Sequence, residues 1–304
     1  MRIGFLGASA FGYALLETLI KKRYDIVAIM TLPQKFRISY SPKPITLFYY
    51  KDFNALAVKY NIPLIRVRRR LKDYFEKIKE FSPDLILVLG WYHFVPKNIR
   101  ALPRKGCIGI HASLLPSYAG GSPLVWAIIN GETETGVSMF YLNEGIDSGD
   151  IIAQRKFSIR PNDDIVTLYQ KATNVSTELL LEYLPRFELG NAPRYKQNFS
   201  LRSIYPQRSP KDGKIDWTKS TREIRDFIRA QTKPYPGAFC YLNRKKLTIW
   251  KAEFSEKIKT HSMRPGKIIE VEKDKFTVAT NDGLLTITDY EPKDIIFSKF
   301  RRLV

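Results

Sequence analysis

The chain has 304 residues, 44% of them hydrophobic, and 50 Lys and Arg against 30 Asp and Glu give it a net charge of +20. That length and apolar content exclude a disordered chain and suit one large or two medium domains, while the positive surplus favours polyanionic partners (RNA, a nucleotide-linked substrate, a membrane surface) unless it is spread over solvated faces. No apolar run approaches the ~20 residues that span a membrane, and the start MRIGFLGASAFG lacks the form of a secretory signal.

Taken in order, Arg2 to Leu6 reads as a strand. GASAFG and a helix follow, with Leu15, Leu16 and Leu19 on one face and an end near Lys22. Asp25 to Met30 is a second strand, so the opening predicts a Rossmann-like parallel sheet. Gly4, Gly7 and Gly12 do not make G-x-G-x-x-G, and read as close strand–helix packing, not as a dinucleotide site. Thr31 to Tyr50 reads as a long connection carrying Lys35, Arg37 and Lys43; a loop of that length in a compact domain is functional or mobile. A helix over Asp52 to Tyr60 and a strand over Pro63 to Val67 precede Arg68-Arg69-Arg70, which opens a helix with Tyr74, Phe75 and Ile78 on one face. The basic triplet is a solvated helix start or a phosphate contact.

Asp84 to Leu89 is a continuously apolar strand, as expected of one buried on both faces of a parallel sheet. It ends in Gly90-Trp91-Tyr92-His93, placing aromatic rings where open α/β sheets bind ligands. His93 by itself reads as a structural or surface histidine. Cys107 to Ile110 is the next buried strand, delivering His111. Ser113-Leu114-Leu115-Pro116 and the turn Tyr118-Ala119-Gly120-Gly121 follow. Ser122 as cap, Pro123 in the first turn and Gly131 at the exit then punctuate a helix. A strand from about Gly136 to Leu142 leads into NEGIDSGD, which carries Asp147. Next come a strand over Asp150 to Ile159 and a helix capped by Asp163 or Asp164 and running to about Leu184.

Residues 185 to 210 are proline-spaced, basic and without periodicity, and read as a linker. Beyond it the pattern changes. Ser220-Thr221-Arg222-Glu223 is a capping box, and the rest is short alternating strands joined at Asn243-Arg244, Lys273-Asp274 and Asn281-Asp282-Gly283. Hairpin chemistry of this kind predicts a small β-barrel, for which an OB-like fold is one option. Residues from 200 onward carry about half of the positive surplus. The expected division is 1–190, a Rossmann-like domain; 191–207, a linker; and 208–304, a barrel. Cys107 and Cys240 sit far apart in apolar context and read as buried free thiols of a reducing, cytoplasmic compartment. No Cys/His cluster has metal-ligand spacing, so no metal is expected.

A histidine at a strand end, oriented by a carboxylate, can move a proton during acyl transfer, and His111 and Asp147 are such a pair. There is no G-x-S-x-G nucleophile elbow, which favours direct transfer to an external nucleophile. The phrases HASLLPSYAGG, GETETGVSMF and GIDSGDII closely resemble the 10-formyltetrahydrofolate-dependent formyltransferases. KDGKIDW and KPYPGAF resemble the C-terminal domain of the methionyl-tRNA and amino-sugar members. The resemblance covers nearly the whole chain. It implies formyl transfer from 10-formyltetrahydrofolate to a primary amine, with His111 and Asp147 catalytic. Ser113 to Pro116 and Gly90, Trp91 and Tyr92 would lie beside the folate.

Two residues depart from the family pattern. The family's catalytic Asn, two residues before the histidine, is Gly109 here, and an Arg before the glycine is Ala119. The missing amide would donate to the formyl oxygen, a contribution of about 2.7–4 kcal/mol for one such donor. Asn143, Ser113, protonated His111 or a water are candidate substitutes; otherwise the chain is a slow or non-catalytic homologue. For the acceptor, the charge and the basic residues Lys35, Arg37 and Lys43 favour methionyl-tRNA. PLVWAIINGETETGV looks closer to the UDP-amino-arabinose formyltransferases, which favours a nucleotide-linked amino sugar.

Overall fold

The structure is a computed structural model. It describes residues 1–38, 41–257, 263–295, 297–299 and 301–304. In chain order the first elements are β1 (Arg2–Leu6), α1 (Ala10–Lys21), β2 (Asp25–Thr31), β3 (Lys35–Phe36), β4 (Ile45–Thr46), α2 (Asn54–Lys59), β5 (Leu64–Arg66), α3 (Phe75–Glu80), β6 (Leu85–Val88) and α4 (Lys97–Arg100). There follow β7 (Cys107–His111), β8 (Ala119–Gly120), α5 (Pro123–Ile129), β9 (Glu134–Tyr141), β10 (Ile151–Ser158), α6 (Ile165–Glu188) and β11 (Ile204–Tyr205). The remainder is α7 (Thr221–Arg229), β12 (Ala238–Leu242), β13 (Lys245–Phe254), β14 (Ile268–Val271), β15 (Phe276–Ala279) and β16 (Leu284–Glu291). Two compact units result: residues 1–120, 135–157 and 169–204, and residues 121–134, 158–168 and 205–304.

The first unit is built on a seven-stranded sheet of order β10-β9-β7-β6-β1-β2-β5. β5, β2, β1, β6 and β7 are mutually parallel, and their apolar runs are buried, as burial on both faces requires. Around them Leu6, Met30, Ile65, Ile86 and Ile99 form the core. Beyond β7 the expected parallel sheet changes sense: β9 runs antiparallel to it, pairing Gly109 with Phe140 and His111 with Ser138. The connection between them, residues 112–133, carries the seven-residue helix α5.

The long connection after β2 is not structureless, because β3 and β4 pair as a hairpin. Its alternation puts Phe36 and Ile38 inside and leaves Lys35 and Arg37 exposed. The stretch after Arg70 starts as a 3-10 turn, Leu71–Tyr74, before α3. The α1 cap, Ser9, accepts from Gly12 N, and Asp164 Oδ1 accepts from Thr167 N at the start of α6. Pro185 does not end α6, which continues to Glu188.

In the second unit α5 is preceded by Ser122, but that residue does not cap with its side chain. It sits at φ +52, so its hydroxyl is not aimed at the first-turn N–H groups, and it accepts from Gln207 Nε2 at 2.8 Å. Trp126 of α5 donates to Pro206 O at 2.9 Å. The Ser220–Glu223 capping box opens α7 as read from the sequence. Strands β12-β13-β16-β15-β14 form one antiparallel curled sheet over a core of Ile249, Phe276, Val278, Leu285 and Ile287. The C-terminal residues join its two edges. Val304 and Tyr241 exchange backbone hydrogen bonds at β12, while Arg301 O and Leu303 N bond Ile268 and Gly266 at the β14 side.

Candidate active site

Strand β7 delivers His111 at its carboxyl end, one pleat on from Gly109 and on the same face. The nine-residue chain between β9 and β10 folds back to bring Asp147 to it. Asp147 Oδ2 lies 3.5 Å from His111 Nδ1, with side chains 22% and 11% exposed. His111 Nε2 lies 2.8 Å from the carbonyl of Tyr118. A carbonyl only accepts, so Nε2 carries a proton and donates it there. Nδ1 is therefore the nitrogen left to exchange a proton, and it faces the carboxylate. Asp147 Oδ2 also accepts from Gly120 N at 2.8 Å. Both Tyr118 and Asp147 adopt the left-handed conformation, at φ +57 and +46. For non-glycine residues such geometry persists only where the surroundings impose it.

Gly109 is buried, and its face is filled. A Cβ built on it would meet Leu142 Cδ1 at 2.9 Å, Phe140 Cε1 at 3.3 Å and Val88 O at 3.4 Å. Of the candidate substitutes for a donor at this point, Ser113 is already committed, whereas Asn143 is engaged only through its acceptor oxygen. Ser113, 1% exposed, donates its hydroxyl to Ser117 O at 2.7 Å. Asn143 Oδ1 accepts from Gly145 N and Ser148 Oγ, bracing its own loop.

The Ser113–Pro116 loop is tied down by one residue of β9. Ser138 Oγ donates to Ser113 O at 2.7 Å and accepts from Leu115 N at 2.9 Å. Gln154 Nε2 adds bonds to Leu115 O and to Ser138 Oγ. Leu115 is thereby buried, while Leu114 and Pro116 stay half-buried. After β6, Gly90 turns at φ +67 beside Ser9 of the α1 cap. There the rings of Tyr92 and His93 pack on Phe36, with centroids 5.9 Å and 5.2 Å away, and Trp91 packs on His93 at 6.0 Å. Burial pushes the His93 pKa below its ordinary value. Trp91 Nε1 is buried without a hydrogen-bond partner among the described residues.

The structure thus brings His111 and Asp147 together, with Gly109 one pleat behind. Lys35, Arg37 and Lys43 are exposed on the β3–β4 hairpin. Among the described residues none of the three hydrogen-bonds to His111 or Asp147. Sequence reasoning missed four participants: Tyr118, Gly120, Gln197 and Ser203. Gln197 Nε2 donates to Asp147 O at 2.8 Å and to Gly149 O at 2.7 Å. Ser203 Oγ accepts from Tyr118 N at 2.9 Å. Backbone carbonyls and amides leave no mark in residue type, and both side chains lie in the stretch that reads as linker. No group of three or more His, Cys, Asp and Glu among the described residues could hold a metal ion, and none of the described helices is long and apolar enough to cross a membrane.

Residues 1–184 match the family model described as formyl transferase, and residues 208–297 match that for the formyl transferase C-terminal domain. A curated relative, "Methionyl-tRNA formyltransferase" of Clostridioides difficile, is 36% identical over 297 residues, covering 96% of this chain and 92% of its own. Among solved structures, an N-formyltransferase from Helicobacter canadensis in complex with folinic acid and dTDP-3-aminofucose superposes with a TM-score of 0.69 at 23% identity, covering 95% of this chain and 99% of that one. HypX from Aquifex aeolicus in complex with tetrahydrofolic acid gives a TM-score of 0.68 at 21% identity; 95% of this chain matches 44% of that longer one.

Proposed function

The chain belongs to the formyl transferase family, and from that premise we propose that it transfers the formyl group of 10-formyltetrahydrofolate to the amino group of methionyl-tRNA. The observation that carries the reading is the His111–Asp147 pair at the end of β7, within a chain 36% identical over nearly its full length to a methionyl-tRNA formyltransferase.

The acceptor amine attacks the formyl carbon, and the bond from that carbon to the folate nitrogen breaks. The amine sheds a proton and the departing nitrogen gains one. Because Nε2–H is held by Tyr118 O, His111 takes the amine proton on Nδ1. The Nδ1–H so formed faces Asp147 Oδ2, and the carboxylate stabilises the imidazolium. Gly120 N keeps that oxygen in place. With Gly109 lacking an amide, Ser113 donating to Ser117 O, and both imidazole N–H groups directed at Tyr118 O and Asp147, the Asn143 amide N–H and a bound water are the remaining candidate donors for the developing oxyanion.

The residues after β6 fit a flat heteroaromatic ring. Trp91 and Tyr92 are half-buried aromatic side chains, and the Trp91 N–H has no partner among the described residues. We assign them, with Gly90 and the Ser113–Pro116 loop, to the folate. Lys35, Arg37 and Lys43, exposed together on one hairpin, suit the RNA backbone.

The test is single-turnover formylation with methionyl-tRNA and a UDP-amino sugar in parallel. Formyl-methionyl-tRNA is the expected product. Formylation of the sugar alone would move the assignment to a nucleotide-linked amino sugar, and formylation of neither would overturn the reading.

A further inference from the structure

The stretch that reads as a linker reaches both halves of the candidate site. Tyr118 and Ala119 are bound to a single residue of it: Tyr118 N donates to Ser203 Oγ at 2.9 Å, and Ala119 N donates to Ser203 O at 2.9 Å. The Tyr118–Ala119 peptide is therefore gripped on its N–H side by Ser203, while its carbonyl faces His111 Nε2. Ser203 N donates in turn to Pro116 O, and Ser117 Oγ to Leu201 O.

The other half is held by Gln197. Its Nε2 has two hydrogens and meets two carbonyl oxygens, those of Asp147 and Gly149. Turning the amide over would set Oε1 against both carbonyls, so the orientation is determined. It is kept although Oε1 is buried without a partner among the described residues. Arg202 adds a bond to Ile146 O. The two non-glycine site residues in left-handed backbone conformation, Tyr118 and Asp147, are the ones this segment grips.

We propose that Gln197 and Ser203 are positioning residues: Ser203 sets the carbonyl that holds His111 Nε2–H, and Gln197 sets the backbone that presents Asp147 to Nδ1. Neither touches the reacting atoms. They act by fixing the ring's tautomer and its distance from the carboxylate, where a displacement of about 1 Å can cost about a hundredfold in rate. The kinetic consequence rests on the proposed formyl transfer; the effect on the imidazole does not.

The experiment uses the full chain with its histidines labelled with 15N. The Nε2–H resonance of His111 is identified by its loss in His111→Gln. In Ser203→Ala that resonance should shift or broaden, and in Ser203→Thr, which keeps the hydroxyl, it should return. In Gln197→Met, of similar length but without a donor, the Nδ1 signal should move. Single-turnover rates should fall tenfold or more in Ser203→Ala and Gln197→Met, with folate affinity within about twofold and recovery in Ser203→Thr. Imidazole signals unchanged in both variants would overturn the proposal. So would a rate loss matched by an equal loss of folate affinity, or one that Ser203→Thr fails to rescue. A wild-type chain that formylates nothing would count against the proposed function alone, because the imidazole signals still decide the positioning.

Discussion

Leu142 stands over Gly109. The strand β7 residue that lacks a side chain faces a leucine whose Cδ1 would lie 2.9 Å from any Cβ placed there. A side chain at 109 would meet that methyl group at its first carbon, so an amide there requires the Leu142 side chain to shift.

A single Gly109→Asn exchange should therefore lower the melting temperature, since Leu142 has to yield. Combining it with Leu142→Ala makes room for the amide. The double variant should regain stability over the single one and turn over up to about a hundredfold faster than wild type, the low end of one oxyanion donor. Folate affinity should change little, because the amide acts in the transition state. A double variant that is folded, binds folate and is no faster would show that another group already fills the role.

Asp147→Asn keeps an oxygen for Gly120 N–H to donate to but removes the charge that faces Nδ1. The loop should hold, leaving thermal stability nearly unchanged, while the single-turnover rate falls by about a hundredfold or more. His111→Ala should lower the rate by a similar factor. Rates within threefold of wild type in either variant would remove the pair from the chemistry.

Binding to tRNA should weaken steeply with salt, because neutralised phosphates release counterions. Exchanging Lys35, Arg37 and Lys43 for Gln, at exposed positions on the hairpin, should weaken binding further and flatten the salt slope by up to about one unit for each phosphate no longer neutralised. Fluorescence anisotropy with labelled tRNA across a salt series measures both. A slope that is the same in the triple variant would take the hairpin out of the interface.

The thiols supply a pH dependence. Burial pushes the pKa of both Cys107 and Cys240 up from 9.0 to about 12. A thiol that holds its proton more tightly when folded contributes stability below its unfolded pKa and loses that contribution as pH rises. Melting temperature should accordingly fall between pH 9 and pH 12, and Cys107→Ser/Cys240→Ser should fall less steeply. At pH 8 the folded protein should resist iodoacetamide at both positions, and the denatured chain should react at both. Rapid labelling of the native chain would contradict the burial.

Much was determined locally. Continuous apolar runs specified β1, β2, β6 and β7, because a strand buried on both faces has no polar side to show. The Ser220–Glu223 capping box specified the start of α7, since both of its hydrogen bonds lie within four residues. The family-specific words around His111 and Asp147 named the chemistry. Tertiary structure decided what depends on distant neighbours: the reversal at β9, the hydroxyl of Ser122 turned to Gln207 instead of its own helix, and Leu142 filling the space at Gly109. It also decided the tautomer of His111, which rests on a backbone carbonyl that any residue at 118 would carry. The same holds for Gln197 and Ser203. Their partners are main-chain atoms 50 and 85 residues away in the chain, and a hydrogen bond to a backbone group leaves no pattern in the residue that offers it.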